Sequence, residues 1–298
     1  MPRRTITPPF AVDLRRSLRP LRLGKHDPTV HLTSSAVALG MRTPLGPASV
    51  RAVQDQDRFQ VEAWGDGADW ALEHAPGLLG CLDDRAGFVP LDPVVRRLHR
   101  EADGLRLPRT GRVVDALIPA VLSQRVTGFE AKRSYRQLIE RWGEPAPGPL
   151  GLMLAPRPEV IAELGYYDLH VIGMEKKRAD ALKRVCAHAS RLERVGATEP
   201  DELRTRLEAI AGVGPWTSAE VARVALGDAD AVSVGDFHLK HLVSWALASE
   251  PRGTDDRMLE LLEPYLGHRG RVCTLLESSG LTAPKYGPRQ RIQPIADR

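Results

Sequence analysis

The sequence predicts an α+β protein: an N-terminal antiparallel β-sheet domain with helices, followed by an all-helical remainder. Two observations carry this. Between Thr29 and about Gly65, short runs alternate apolar and polar residues and are separated by turn signals. Beyond about residue 105, apolar residues recur at three- and four-residue spacing almost to the end. A chain of 298 residues is long enough for two or three such units, each with its own core.

The strand-like pieces are "TVHLTSSAVALGMRT", "PASVRAVQD" and "RFQVEAWG", with Gly46-Pro47 and Asp55-Gln56-Asp57 as turns. Helical signals follow in "GADWALEHA" and "LDPVVRRLHREA". In the second, Asp92 suits an N-cap and Pro93 the first helical position, where a missing N–H costs nothing. The segment "DGLRLPRTG" interrupts the pattern, so the expected organisation is an α+β domain over 1–104, a helical unit of two subdomains over 105–280, and a basic tail over 281–298. Within the helical unit, "RVVDALIPAVLSQRV" and "FEAKRSYRQLIERWG" precede a proline-rich loop, "EPAPGPL". Seven further helical stretches follow, ending in "GRVCTLLESSG". No period of about 20 to 50 residues repeats, which argues against a solenoid.

Composition excludes more than it selects. No apolar run reaches the length of about 18 residues that a membrane helix needs, and "MPRRTITPPF" has no apolar signal region, so the expectation is a cytoplasmic protein with no membrane partner. Cys81, Cys186 and Cys273 lie far apart, which rules out assembling a zinc pair or an iron–sulfur cluster from them and reads as reduced, buried thiols. The net charge of +4 permits a polyanionic partner. Of 42 basic residues, seven are lysine and 35 arginine; arginine suits bidentate phosphate contacts, although coding bias accounts for the excess equally well. No Gly-rich nucleotide loop, Ser-His-Asp set or metal-ligand cluster is present in the sequence.

The stretch "AGVGPWTSAEV", Ala211 to Val221, joins two predicted helices through four residues. Glycine allows positive φ at a helix end, and Pro215 fits the first position of the next helix. The bare backbone there suits a phosphate, which the N–H groups and the dipole of the second helix would attract. A plain helical corner explains "AGVG" taken alone. Twenty positions past Trp216, Asp236 opens "DFHLKHLVSWAL", where an aspartate is favoured as a helix N-cap.

The run I-A-G-V-G-P-W-T-S-A followed by that aspartate resembles the helix-hairpin-helix DNA glycosylase superfamily. "ALIPAVLSQRVTGFEAKRSYRQLIERWG", "IGMEKKRADALKRVCAHA" and "EPYLGHRGRVCTLL" are similar to three further segments of that superfamily, so the resemblance spans about Leu105 to Leu276. The β-rich domain before it is similar in size and place to that of the bacterial 3-methyladenine DNA glycosylase II group. The resemblance implies a helix-hairpin-helix glycosylase core acting as a monomer on double-stranded DNA that contains damaged bases. It implies Asp236 as the catalytic carboxylate, though a cap is its alternative and both roles can coexist. It assigns backbone contacts to Gly212, Val213, Gly214 and Thr217. Arg269 and Arg271 read as further phosphate contacts or as a solvated charged turn, and the wedge falls at Gln124 and Arg125, where the group has an apolar residue in place of Arg125.

Trp216, Phe237 and Tyr265 correspond to the base pocket, with core packing as the other reading; Glu220 stands where the group often has another aromatic, and either faces the pocket, favouring cationic bases, or faces solvent and leaves the pocket more open. The resemblance further implies a sodium or potassium ion on the carbonyls of Glu208, Ile210 and Val213, and no other cofactor. Where lyase members carry a nucleophilic lysine, this chain has Trp216, which points to water as the nucleophile and to an alkylated, cationic base as substrate. An oxidised or deaminated base, or a DNA-structure binding protein without activity, stay as alternatives.

Overall fold

The computed structural model describes residues 2–195 and 199–284. Positions 285–298, most of the expected basic tail, lie outside the described residues. Five strands, β1 (Arg3–Ile6), β2 (Val30–Leu32), β3 (Ala36–Thr43), β4 (Gly46–Asp55) and β5 (Arg58–Trp64), form one antiparallel sheet in the order β1-β5-β4-β3-β2. The period-two pattern buries Val37, Leu39 and Met41 on β3, Val50 and Ala52 on β4, and Phe59, Val61 and Ala63 on β5. This face packs with the helices α1 (Leu14–Leu18) and α2 (Ala68–Leu78) into a first core. Strand β1 is not legible as a strand in the sequence, because Arg3, Arg4 and Thr5 are exposed and only Ile6 is buried. Its position comes from pairing with β5 at the sheet edge.

After α3 (Pro93–Glu101) come α4 (Val113–Leu122) and α5 (Gly128–Trp142), then a two-stranded ribbon of β6 (Glu144–Pro145) and β7 (Met153–Leu154) in the stretch that reads as a proline-rich loop. Helices α6 (Pro158–Glu163), α7 (Tyr166–His170), α8 (Lys176–Ala187), α9 (Ala189–Val195), α10 (Pro200–Glu208) and α11 (Pro215–Ala225) complete a second core with α4 and α5. At its centre, Leu117, Ile118 and Val121 of α4 share the core with Ala219, Ala222 and Ala225 of α11, whose small side chains allow close approach.

The third core combines α12 (Leu239–Ala248), α13 (Asp255–Leu262) and α14 (Arg269–Ser278) with α3. Asp92 caps α3 through the Val94 N–H at 2.7 Å, with Pro93 in the first turn. Since Val95, Leu98, Ala102 and Leu105 all pack in this core, the division expected near residue 104 runs through it. The segment between α3 and α4 is tied down by backbone bonds. Arg109 N–H donates to Gly77 O at 2.8 Å, Thr110 N–H to Val224 O at 3.1 Å, and Gly111 N–H to Ala225 O at 2.9 Å. No helix among the described residues is long and apolar enough to cross a membrane.

Two ionic contacts tie distant segments of the fold together. Arg271 on α14 forks onto Asp83 at 2.8 and 2.9 Å, the two side chains being 4% and 2% exposed, and also donates to Asp84 O at 2.7 Å. Arg85 lies beside them, its Nε 4.0 Å from Asp83. Asp83→Ala would leave buried guanidinium charge uncompensated, and the expected loss is about 3–5 kcal/mol by urea denaturation. At the start of α4, Glu193 accepts the N–H groups of Val113 at 3.1 Å and Val114 at 3.0 Å, and pairs with Arg112 at 3.0 Å.

Burial pushes the Glu193 carboxyl up to about 7, with Arg112 opposing. The folded state therefore holds this proton more tightly than the unfolded chain does, so the stabilisation is complete below the usual carboxylate range and is lost as pH rises through about 7. Melting temperatures measured from pH 5 to pH 8 should fall along this limb in the native protein, and Glu193→Gln should flatten it, a difference of about 2–3 kcal/mol.

Candidate active site

The turn between α10 and α11 is built so that the Ala211 and Gly212 carbonyls are held by side chains while several of its amides are left unpaired among the described residues. Gly212 has φ of +99°, and a Cβ there would meet the Ala181 Cβ at 2.6 Å, so both conformation and packing demand glycine. Arg184 Nη1 donates to Ala211 O at 3.0 Å, and Gln124 Nε2 donates both to Gly212 O and to Thr217 Oγ1, each at 2.9 Å. Val213 buries its side chain, and its N–H bonds to Ile210 O at 2.9 Å. The N–H groups of Gly212, Gly214 and Trp216 have no partner among the described residues. A Cβ on Gly214 would meet nothing within 4 Å. The start of α11 thus presents unpaired donors and the positive end of its dipole on an open side.

Two expectations change here. The Thr217 side chain is buried and bonded to Gln124, so it fastens the turn, and what Thr217 leaves for a phosphate is its N–H, which has no partner among the described residues. Gln124, expected as part of a wedge, spends its amide on the hairpin. Arg125 beside it is exposed with φ of +54° and has no partner among the described residues.

Asp236 lies where α12 begins. Its Oδ1 accepts the N–H groups of His238 at 2.7 Å and Leu239 at 2.8 Å and so caps the start of the helix. Its Oδ2 accepts the indole Nε1–H of Trp216 at 3.1 Å. Trp216, Glu220 and Val224, one helical turn apart along α11, form one wall of a cavity of about 210 Å³. Asp115 and Pro119 of α4 line it too, and the sheet closes the far side with Leu39, Met41 and Arg42 of β3. Glu220 accepts from Arg223 Nη2 at 2.9 and 3.0 Å and from Ser233 Oγ at 2.5 Å, which fixes its carboxylate at the wall. Asp115 and the β3 residues are not marked as pocket residues by any sequence signal. Asp115 reads as an ordinary acidic residue of a first helical turn, and β3 as a half-buried strand.

Four expected site residues are elsewhere. Phe237 is 71% exposed and packs edge-on to His238 and His241, apart from the cavity lining. Tyr265 is buried in the third core, and its hydroxyl accepts the Asp92 N–H at 2.8 Å, supporting the start of α3. Arg271 is consumed by Asp83, as described above. Arg269 forks onto Asp230 through Nε at 3.0 Å and Nη2 at 2.5 Å, so a charge that reads as a phosphate contact satisfies an internal carboxylate.

A tight hairpin offering backbone donors, with a capped carboxylate and a cavity behind it, is the arrangement of a helix-hairpin-helix DNA repair protein. The description "HhH-GPD superfamily base excision DNA repair protein" matches residues 118–266, half of the chain, and the chain belongs to that superfamily. A Mycobacterium tuberculosis protein named "Probable bifunctional transcriptional activator/DNA repair enzyme AlkA" is 30% identical over 151 residues, which is 50% of this chain and 30% of that protein. The chain therefore matches less than a third of that relative's length. Among solved structures, a 3-methyladenine DNA glycosylase from Archaeoglobus fulgidus has the same fold, with a TM-score of 0.78 at 18% identity over 93% of this chain and 99% of that one. A Clostridium acetobutylicum 8-oxoguanine glycosylase/lyase, solved with double-stranded DNA, aligns with a TM-score of 0.62 at 14% identity over 84% of this chain and 96% of that one.

The hairpin geometry predicts a graded response at Gln124. Gln124→Ala removes two donated bonds and should cost about 1–2 kcal/mol in denaturant unfolding. Gln124→Glu, which sets a carboxylate against the Gly212 carbonyl, should cost more than Ala.

Proposed function

We propose that the protein is a DNA glycosylase that releases alkylated bases from double-stranded DNA with water as nucleophile, leaving an abasic site. One observation carries this reading: the Asp236 carboxylate is held by three N–H donors, one of them the indole of Trp216 at the cavity wall. The name of the Mycobacterium tuberculosis relative, a DNA repair enzyme, supports action on DNA, and the Archaeoglobus fulgidus protein of the same fold is named for 3-methyladenine.

The N-glycosidic bond of a stacked nucleotide is out of reach of side chains, so the nucleotide must rotate out of the duplex. The unpaired N–H groups of Gly212, Gly214 and Trp216 are suited to a backbone phosphate. Arg125, exposed at its turn, is the side chain available to fill the vacated stack. The extruded base enters the cavity between α11 and β3. As the bond breaks, positive charge develops on the sugar, and Asp236 stabilises it while orienting the attacking water.

A cationic base such as a 3-methyladenine gains about 0.5–2 kcal/mol from the face of Trp216, and Glu220 and Asp115 add carboxylates to the same walls. No lysine lines the cavity among the described residues, and Lys240 on α12 is paired with Asp255 at 3.1 Å, which supports hydrolysis over amine attack. A sodium or potassium ion at the hairpin also fits the donor set. The carbonyls of Glu208 and Val213 accept no hydrogen bond among the described residues, while that of Ile210 accepts only from Val213. When bound, the ion would add positive charge beside the hairpin amides.

The test is base release from methylated duplex DNA by the protein and by Asp236→Asn. The expected result is free alkylated base from the native protein, a loss of about 100-fold or more in the variant, and strand nicking only after alkali. Nicking without alkali would overturn the hydrolytic mechanism. No release from methylated DNA, with release from DNA carrying oxidised or deaminated bases, would overturn the substrate class.

A further inference from the structure

Trp216 both lines the cavity and donates its indole N–H to the carboxylate. We infer that Trp216 is the positioning residue for Asp236: its indole N–H holds the one carboxylate oxygen that the backbone leaves free, and so sets the orientation in which that carboxylate meets the sugar. This inference rests on the catalytic reading of Asp236.

The two oxygens of Asp236 are anchored by separate parts of the fold. Oδ1 receives the His238 and Leu239 N–H groups and is fixed to the start of α12, which packs in the third core. Among the described residues Oδ2 receives only the Trp216 indole, from α11, which packs in the second core. The terminal torsion of an aspartate is broad, so an oxygen pinned on one side still leaves the carboxylate a pivot. Among the described residues, the indole bond is the one polar tie that removes this freedom and fixes the carboxylate relative to the helix walling the cavity.

The electrostatics of the ring suit both contacts. An indole is positive at its edge, where the N–H donates to Asp236, and negative on its face, which suits a cationic base. One side chain therefore aligns the base and the carboxylate against each other, and a displacement of either by about 1 Å is enough to cost 100-fold in rate. The tie also gives tryptophan a role that another aromatic wall would lack: phenylalanine has no donor at all.

The experiment separates donor from wall. Trp216 is replaced by Phe and, through an expanded genetic code, by the benzothiophene analogue of tryptophan, which keeps the bicyclic shape and so the packing but carries sulfur in place of N–H. Single-turnover release from methylated duplex DNA is measured against protein concentration for both, alongside Asp236→Asn. The expected result is a maximum rate about 10- to 100-fold lower in both Trp216 variants, with the half-saturating concentration of the sulfur analogue unchanged. The Trp216 indole N–H resonance of the native protein should exchange slowly with solvent, and Asp236→Ala should shift it and speed its exchange.

A native maximum rate in the sulfur analogue, with Asp236→Asn inactive, would overturn the positioning role and leave the catalytic reading standing. A native rate in Asp236→Asn would instead overturn the catalytic reading, and the positioning role with it. A rise in half-saturation at unchanged maximum rate would assign Trp216 to base stacking alone and would also overturn the inference.

Discussion

The packing of α4 against α11 is the contact on which the rest of the site depends. The alanines of α11 let its backbone approach the Leu117, Ile118 and Val121 side of α4, and this closeness has two results. At one end, Gln124, just past α4, reaches the hairpin and holds Gly212 and Thr217. Along its length, the same pair of helices leaves Trp216, Glu220 and Asp115 around a cavity that β3 closes. A bulkier stripe on α11 would separate the helices, and both the hairpin and the cavity wall would lose their registration together.

Backbone polarity is arranged with the same economy. The carbonyls of Ala211 and Gly212 are satisfied by arginine and glutamine side chains, while the N–H groups of Gly212, Gly214 and Trp216 stay available. The Asp236 carboxylate satisfies two of the orphan N–H groups at the start of α12 and still has an oxygen to offer elsewhere. Capping and chemistry are therefore not competing explanations for this residue, because each oxygen has its own set of donors.

Charge is spent differently from what composition suggests. The arginine excess invites a reading as phosphate-binding surface, yet Arg112, Arg204, Arg223, Arg257, Arg269 and Arg271 are all paired with carboxylates of the chain. Arg271 is the clearest case, since it joins α14 to the segment after α2 inside the fold. The sheet is likewise more than an appendage. Through Leu39, Met41 and Arg42 it supplies a wall of the cavity, and Arg42 ties it to the helical core by donating to Ala155 O at 2.8 Å and pairing with Glu144 at 3.1 Å.

What the sequence alone determined is what local geometry dictates. The Asp92 cap with Pro93 after it, the positive φ of Gly212, the proline opening α11 and the aspartate at the start of α12 each follow from forces acting within a few residues. The period-two strands and the helical spacing beyond them are legible for the same reason, and the hairpin with its following aspartate carried the resemblance to the glycosylase superfamily. Only the tertiary structure decided which way the remaining side chains face. Tyr265 and Phe237 both read as pocket aromatics, but Tyr265 bonds to Asp92, 173 positions earlier, and Phe237 turns to the surface. Arg271 and Asp83 are 188 positions apart. A partner at that distance leaves no periodic trace, because burial depends on which faces of distant elements meet, and that is set by the packing of whole helices and sheets. Strand β1, too short and polar to alternate, exists because β5 offers it an edge.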